Sequence, residues 1–428
     1  MLRYNNFSTP IMSVPLPHPP VRANPRLAQV RYDIRGELSR RARELESAGR
    51  DIVHLNIGNP GRFGFAAPEH LRRAVAEHVS DSEAYCPQQG LLPAREAIAA
   101  RELARGAHAA SAANVFVGNG VSELIDMSLR ALLDAGDEVL LPSPDYPLWS
   151  AAVALNGGNA RYYACPAARG HLPDPDEIEA LITPRTHALV VINPNNPTGT
   201  VYPQELLAAL VRIAQRHRLV LLSDEIYDDI VYDEARCVPL APLADEVPTL
   251  TFGGLSKVHR ACGWRVGWVS LSGARDALAE IHHALDLLAS LRLCANVPGQ
   301  WAIAPALAGP DTISALTAPG GRLHEARRAV VEHCAQSEFL EIVAPQGALY
   351  AFPSVRTEVF PDFDDNTFAL QLLETENVLI VPGRGFNIVE ANHFRATLLP
   401  PPAQLFEVFA RIENCLERMA ASSRRHVA

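Results

Sequence analysis

The chain has 428 residues, a formal net charge of −10, 48% hydrophobic residues and 20% charged residues. That length calls for more than one packed core, and the composition is that of a globular enzyme, far from disordered or fibrous chains. The 38 basic and 48 acidic residues are spread along the chain, so no basic field exists to hold nucleic acid or an anionic membrane. Apolar runs such as Ala188 to Ile192 are strand-sized, well short of the ~20 residues that a membrane span needs. The N-terminal segment lacks the apolar stretch of a signal peptide, so a cytoplasmic protein is expected. Seven scattered cysteines without a Cys-x-x-Cys pair argue against a disulfide framework or a metal site.

Residues 1–25 hold six prolines and little periodicity, the pattern of an extended arm laid on another surface. Ile34, Leu38, Ala42 and Leu45 have helical spacing, predicting a helix from Tyr32 to Ala48 that stops at Gly49. A short strand over Ile52 to Ile57 then runs into the turn Gly58-Asn59-Pro60-Gly61. From Pro68 to about Ser290, helical segments alternate with buried strands at Asn114 to Val117, Glu138 to Leu141, Ala160 to Tyr163, Ala188 to Ile192, Leu219 to Ser223, Thr249 to Phe252 and Arg265 to Leu271. Such alternation marks an α/β fold with a mainly parallel seven-stranded sheet between helices. Beyond Ser290 come a long helical region, strands at Gly347 to Phe352, Val378 to Val381 and His393 to Leu398, and a helix from Pro402 to about Ala420. The expected organisation is a large domain over 66–299 and a small α+β domain built from 26–65 and 300–428.

Of the 38 basic residues, 37 are arginine and one is lysine, Lys257. Arginine replaces lysine wherever a cation is all that is needed, but its guanidinium cannot act as a nucleophilic amine. Lys257 sits in Gly254-Leu255-Ser256-Lys257, followed by Gly263-Trp264-Arg265. Gly118-Asn119-Gly120-Val121-Ser122 follows a strand and opens a helix, which leaves backbone N–H groups and a hydroxyl aimed at one spot suited to phosphate. Asn193-Pro194-Asn195-Asn196-Pro197-Thr198-Gly199 lies at the C-terminal end of a buried strand, where open α/β sheets place ligands. Asp224, in Ser223-Asp224-Glu225-Ile226-Tyr227, ends another strand and can cap a helix or face a cationic ligand atom. Taken together the pieces match a ligand with a phosphate, a carbonyl, a phenolic oxygen and a pyridine nitrogen, which is pyridoxal 5'-phosphate.

In order and spacing this set resembles the class I aminotransferases of PLP fold type I. Leu55 to Pro60 with Phe63-Gly64-Phe65, Tyr85-Cys86, Pro144 to Trp149 and Leu293 to Pro298 are similar to the bacterial glutamate–pyruvate (alanine) subgroup. The resemblance runs from Tyr32-Asp33-Ile34-Arg35-Gly36 to the C-terminal region. It implies that Lys257 holds the cofactor covalently and moves the substrate proton, and that Asp224 faces the pyridine nitrogen. Asn196 and Tyr227 would hydrogen-bond the phenolic oxygen, and Tyr146 would stack on the ring. Gly120, Val121, Ser122, Ser256 and Arg265 would hold the phosphate, joined by Tyr85 from the second subunit of a homodimer with shared sites. Arg395 would grip the substrate α-carboxylate with help from Gly58 and Asn196. Gly253 and Val258-His259 depart from the subgroup pattern of Asn and Thr-Tyr. Arg384 is a candidate donor to a second substrate carboxylate, weighed against a solvated loop arginine. The implied activity is transfer of an amino group between an L-amino acid, alanine or glutamate, and a 2-oxoacid, pyruvate or 2-oxoglutarate. A C–S β-lyase using the same lysine is the alternative; a PLP-sensing regulator would need a helix-turn-helix ahead of the core.

Overall fold

The computed structural model describes residues 21–427. The expectation for an N-terminal arm falls largely outside the described residues. The helix expected from Tyr32 is split: a 3-10 turn over Asp33–Arg35 and a helix over Glu37–Ser47 flank Gly36, whose backbone is extended at φ −77°, ψ −146°. That break swings Ile34 and Arg35 out of line with the helix. Strand β1 (Val53–His54) follows, shorter than expected.

Seven strands form the central sheet: β2 (Val115–Gly118), β3 (Glu138–Ser143), β4 (Asn159–Ala164), β5 (Thr186–Ile192), β6 (Val220–Asp224), β7 (Thr249–Gly254) and β8 (Gly267–Ser272). Their order is β2-β8-β7-β6-β5-β3-β4, with β8 antiparallel to both neighbours and every other pairing parallel. The mostly parallel α/β sheet is the one the sequence implied. Strand β5 shows why both faces are covered. Ala188, Val190 and Ile192 pack with the helices Val121–Leu132 and Arg275–Leu291, while Leu189 and Val191 face the opposite core with Leu207, Leu210 and Ala214 of helix Gln204–His217. Alternate side chains of a strand leave on opposite faces, so an unbroken apolar run is what burial on both sides requires.

The C-terminal part carries short strands: β9 (Leu340–Glu341), β10 (Tyr350–Ala351), β11 (Ser354–Val355), β12 (Val378–Leu379), β13 (Val381–Pro382) and β14 (Phe394–Thr397). Strands β10, β14 and β13 make an antiparallel sheet, and β1 pairs in parallel with β12. Leu55 is fully buried in the same core as Val330, Phe368, Phe394, Phe409 and Leu416. The N-terminal segment is thus locked to the C-terminal one by pairing and by a shared core.

Gly267 decides how closely the turn after β2 can lie on the sheet. A Cβ there would come within 2.5 Å of the Val121 nitrogen and 2.8 Å of the Gly120 carbonyl carbon. Gly267→Ala is therefore expected to destabilise the fold by about 1–3 kcal/mol through overpacking and to displace the Gly120–Val121 turn. Urea unfolding checks the first effect, and weakened phosphate binding to the cofactor-free protein checks the second.

Candidate active site

A cavity of about 580 Å³ opens at the C-terminal ends of β5, β6 and β7, where it is closed from the other side by residues of the N- and C-terminal segments. Its lining includes Gly58, Val121, Ser122, Tyr146, Asn196, Asp224, Tyr227, Ser256, Lys257, Arg265 and Arg395. These eleven sequence-predicted residues, separated by up to 337 positions, therefore meet at one place.

Lys257 Nζ donates to the Gly58 carbonyl oxygen at 2.8 Å. This bond holds the amine inside the cavity and fixes the loop before the turn Pro60–Phe63 against the sheet. Asp224, at the last position of β6, is 3% exposed, and its Oδ2 accepts from the Trp149 indole N–H at 3.1 Å. Trp149 is itself held edge-on to Phe252 of β7. The neighbouring Glu225 points away into a separate cluster, where Arg105 lies 2.5 Å from it and Ser223 Oγ and the Leu240 N–H donate to it. Two adjacent acids are thereby given different partners, one a guanidinium and the other a neutral indole facing the cavity.

Arg395, on β14, is 1% exposed. Its Nη1 donates to Asn196 Oδ1 at 2.9 Å and its Nη2 to the Asn56 carbonyl at 2.5 Å. Tyr350 and Phe386 both lie against the guanidinium, with ring centroids 4.3 and 4.7 Å from Cζ. Its Nε is buried without a hydrogen-bond partner, and no carboxylate pairs with it among the described residues. A guanidinium has only donors, so the amide of Asn196 must turn its oxygen to Arg395 and its NH₂ elsewhere. A buried cation without a counter-ion is a receptor for a carboxylate brought by a ligand.

At the other end, Gly120 caps the helix Val121–Leu132 with φ +88° and no side-chain cap. A Cβ on Gly120 would fall 2.3 Å from Arg265 Nη2, so the missing side chain is what lets the guanidinium close on the turn. Arg265 Nη1 donates to the Cys262 carbonyl, and Ser256 lines the same end. Uncapped N–H groups, a serine hydroxyl on the helix and a guanidinium form a cradle fit for a phosphate dianion. The amine, the buried carboxylate and this cradle together suit pyridoxal phosphate.

Two expectations resolve differently. Arg384 does not line the cavity: its Nε donates to Asp365 Oδ1 at 2.6 Å, its backbone N–H donates to Asp365 Oδ2, and it also pairs with Asp364. The candidate role in binding a second carboxylate is withdrawn, because two acids at the start of helix Asp365–Glu376 already hold the guanidinium. Tyr85 is 79% exposed and lies outside the cavity of its own chain. Sequence reasoning gave no role to Trp149, Tyr350 or Arg35. Arg35 lines the cavity mouth, exposed, with no hydrogen bond or ion pair among the described residues.

The chain matches the family described as aminotransferase class I and II over residues 50–412, and it belongs to that family. It is 45% identical over 381 residues to the glutamate-pyruvate aminotransferase AlaA of Escherichia coli K12, covering 89% of this chain and 94% of that protein. It is likewise 45% identical to an alanine aminotransferase of Mycobacterium tuberculosis, over 91% of each chain. Among solved structures, an aminotransferase from Escherichia coli superposes with a TM-score of 0.92 at 44% identity, covering 93% of this chain and 99% of that one. An alanine aminotransferase from Pyrococcus furiosus gives 0.88 at 36%, over 93% and 100%.

Burial pushes the Asp224 carboxyl up to about 6, against a smaller opposing pull from the Trp149 N–H. The folded value then lies above the unfolded one of about 3.9, so ionisation weakens the fold progressively between those values and fully above pH 6. Asp224→Asn is expected to stabilise the cofactor-free protein by about 2–3 kcal/mol at pH 8, with the gain shrinking as pH falls toward 4. Urea unfolding of both proteins across that range checks it, and equal stability at pH 8 would mean the carboxylate is compensated in the fold.

Proposed function

We propose that this aminotransferase uses pyridoxal 5'-phosphate to exchange amino groups between alanine or glutamate and the corresponding 2-oxoacids, pyruvate and 2-oxoglutarate, by a ping-pong mechanism in the cytoplasm. The observation that carries the reading is the buried, carboxylate-free Arg395 across one cavity from Lys257. When bound, the cofactor supplies a carbonyl that condenses with an amine and a cationic ring that takes up the electron pair left at the substrate α-carbon.

The chain's residues do the rest. Arg395, aided by the backbone of Gly58 and by Asn196, orients the α-carboxylate so that the α-hydrogen is presented to Lys257. Lys257 Nζ would hold the cofactor and would take the α-carbon proton and return it. Asp224 would keep a proton on the ring nitrogen, a pairing that would offset its burial. Tyr227 and the NH₂ of Asn196 would donate to the phenolic oxygen, Tyr146 would pack on the ring, and Gly120, Val121, Ser122, Ser256 and Arg265 would hold the phosphate. A homodimer, with Tyr85 of each chain reaching the other's phosphate, fits the exposure of Tyr85, Leu291 and Leu293. With a large domain over 66–299 and a small one over 26–65 and 300–428, the cavity would lie between the two.

A site for both alanine and glutamate needs an apolar wall for a methyl group and a cation for a second carboxylate. Ile34, Ile57 and Ile226 supply the wall, and the unpaired Arg35 supplies the cation. Mixing the loaded enzyme with each amino acid and following its visible absorbance tests the substrate reading. Alanine and glutamate should both discharge the band. Arg35→Ala is expected to raise KM for glutamate and 2-oxoglutarate about 10- to 100-fold, the loss of a charged hydrogen bond, while alanine and pyruvate change little. Arg384→Ala should shift neither pair selectively.

A further inference from the structure

The turn that follows β6 has two sides. Asp224, Ile226 and Tyr227 line the cavity, whereas Glu225, Asp228 and Asp229 carry their carboxylates to two arginines at the end of the helix Leu92–Ala104. Two backbone hydrogen bonds close the turn, from the Asp228 N–H to the Glu225 carbonyl at 3.1 Å and from the Ile230 N–H to the Tyr227 carbonyl at 2.8 Å. A turn closed this lightly takes its position from whatever grips its side chains.

Arg105, the residue that caps that helix, has the widest grip. Its Nη2 lies 2.5 Å from Glu225 Oε2, and its Nη1 lies 3.2 Å from Glu102 Oε1 and 3.5 Å from Asp228 Oδ2. Arg101 Nη2 adds contacts of 2.7 Å to Asp228 and 3.3 Å to Asp229. Glu225 Oε1 also accepts from Ser223 Oγ at 2.9 Å and from the Leu240 N–H at 3.0 Å, so the guanidinium is tied to β6 as well as to the turn. Glu225 is 2% exposed and Glu102 1%. Ion pairs buried to that degree hold firmly, because breaking one strands a charge away from water. A planar guanidinium directs separate N–H groups at separate carboxylates, a geometry that the point charge of an ammonium does not fix. Neither Arg101 nor Arg105 lines the cavity, so their effect there is transmitted through the turn. Glu225 adjoins Asp224 and Asp228 adjoins Tyr227: one guanidinium grips a chain neighbour of each cavity residue.

We infer that Arg105 is the positioning residue for Asp224 and Tyr227: by gripping Glu225 and Asp228 it fixes the turn on which both cavity side chains stand, with Arg101 as a second hold at the Tyr227 end. What those side chains meet, a ring nitrogen and a phenolic oxygen, depends on reading the cavity as a pyridoxal phosphate site; the grip on the turn does not.

Arg105→Met alone strands the buried Glu225 charge, so the test pairs it with Glu225→Gln, whose amide oxygen can still accept from Ser223 and Leu240. In the cofactor-free protein, 5-fluorotryptophan labelling gives one fluorine signal for each of the four tryptophans. The signal lost in Trp149→Phe reports on Asp224, which accepts from the Trp149 indole at 3.1 Å. That signal should move in the double variant. In the loaded enzyme the pH midpoint of the visible absorbance should rise by about 0.5–1 unit, since a displaced Tyr227 donates less well to an anionic oxygen. Should the double variant fail to fold, Arg105→Lys keeps the cation, loses the fork and should shift both readouts in the same directions by less. A Trp149 signal at its wild-type position, or an unchanged midpoint, in the folded variant would show that the turn keeps its shape without the grip and overturn the inference. A protein that takes up no cofactor but moves the Trp149 signal would retire the cofactor reading and leave the grip on Asp224 standing.

Discussion

A guanidinium buried to 1% exposure with no counter-ion among the described residues is the constraint around which this molecule is arranged. An unpaired buried charge costs several kcal/mol unless dipoles and π faces replace its water. Arg395 receives the Asn56 carbonyl from the N-terminal segment, the Asn196 amide from the loop after β5, and the rings of Tyr350 and Phe386 from the C-terminal region. Each partner comes from a different stretch of chain, so satisfying this one cation draws three segments together. The compensation is incomplete, since Nε is left without a partner. Incomplete compensation is what would give an entering carboxylate something to gain, as the proposed role of Arg395 requires.

The charge inventory of the cavity extends the argument. Its lining holds four cationic side chains, Arg35, Lys257, Arg265 and Arg395, against one carboxylate, Asp224. Such a field favours anionic groups such as a phosphate or a carboxylate, and Asp224 is the one carboxylate in it among the described residues. Glycine supplies the close approaches: Gly120 admits Arg265, Gly267 admits the Gly120–Val121 turn, and Gly58 admits Tyr350. Removing side chains at these points is how the sheet ends and the flanking segments come near enough for their polar atoms to share one ligand.

Much of this was legible in the sequence, for identifiable reasons. Central strands such as β5 announce themselves because burial on both faces demands apolar runs, which the half-exposed edge strand β4 does not have, and Lys257 stands out because it is the chain's single lysine. The motifs that end strands could be read locally, since a turn at a strand end must carry its polar groups in a few consecutive residues. Tyr350 and Arg35 could not be read this way. Tyr350 meets Tyr227 from 123 positions away, and Arg35 reaches the cavity because the backbone at Gly36 breaks a helical pattern that runs on in the sequence. Arg384 misled for the complementary reason: its acids, Asp364 and Asp365, lie about twenty positions earlier, and only the fold brings them to it.

The central claim is that one amine, at one place in the fold, carries the chemistry. Loading the protein with pyridoxal phosphate, reducing it with borohydride and mapping the peptides tests that claim most directly. The account predicts the phosphopyridoxyl group on Lys257 in stoichiometric amount and on no other residue. Its appearance on the α-amino group instead, or a protein left unlabelled, would contradict it.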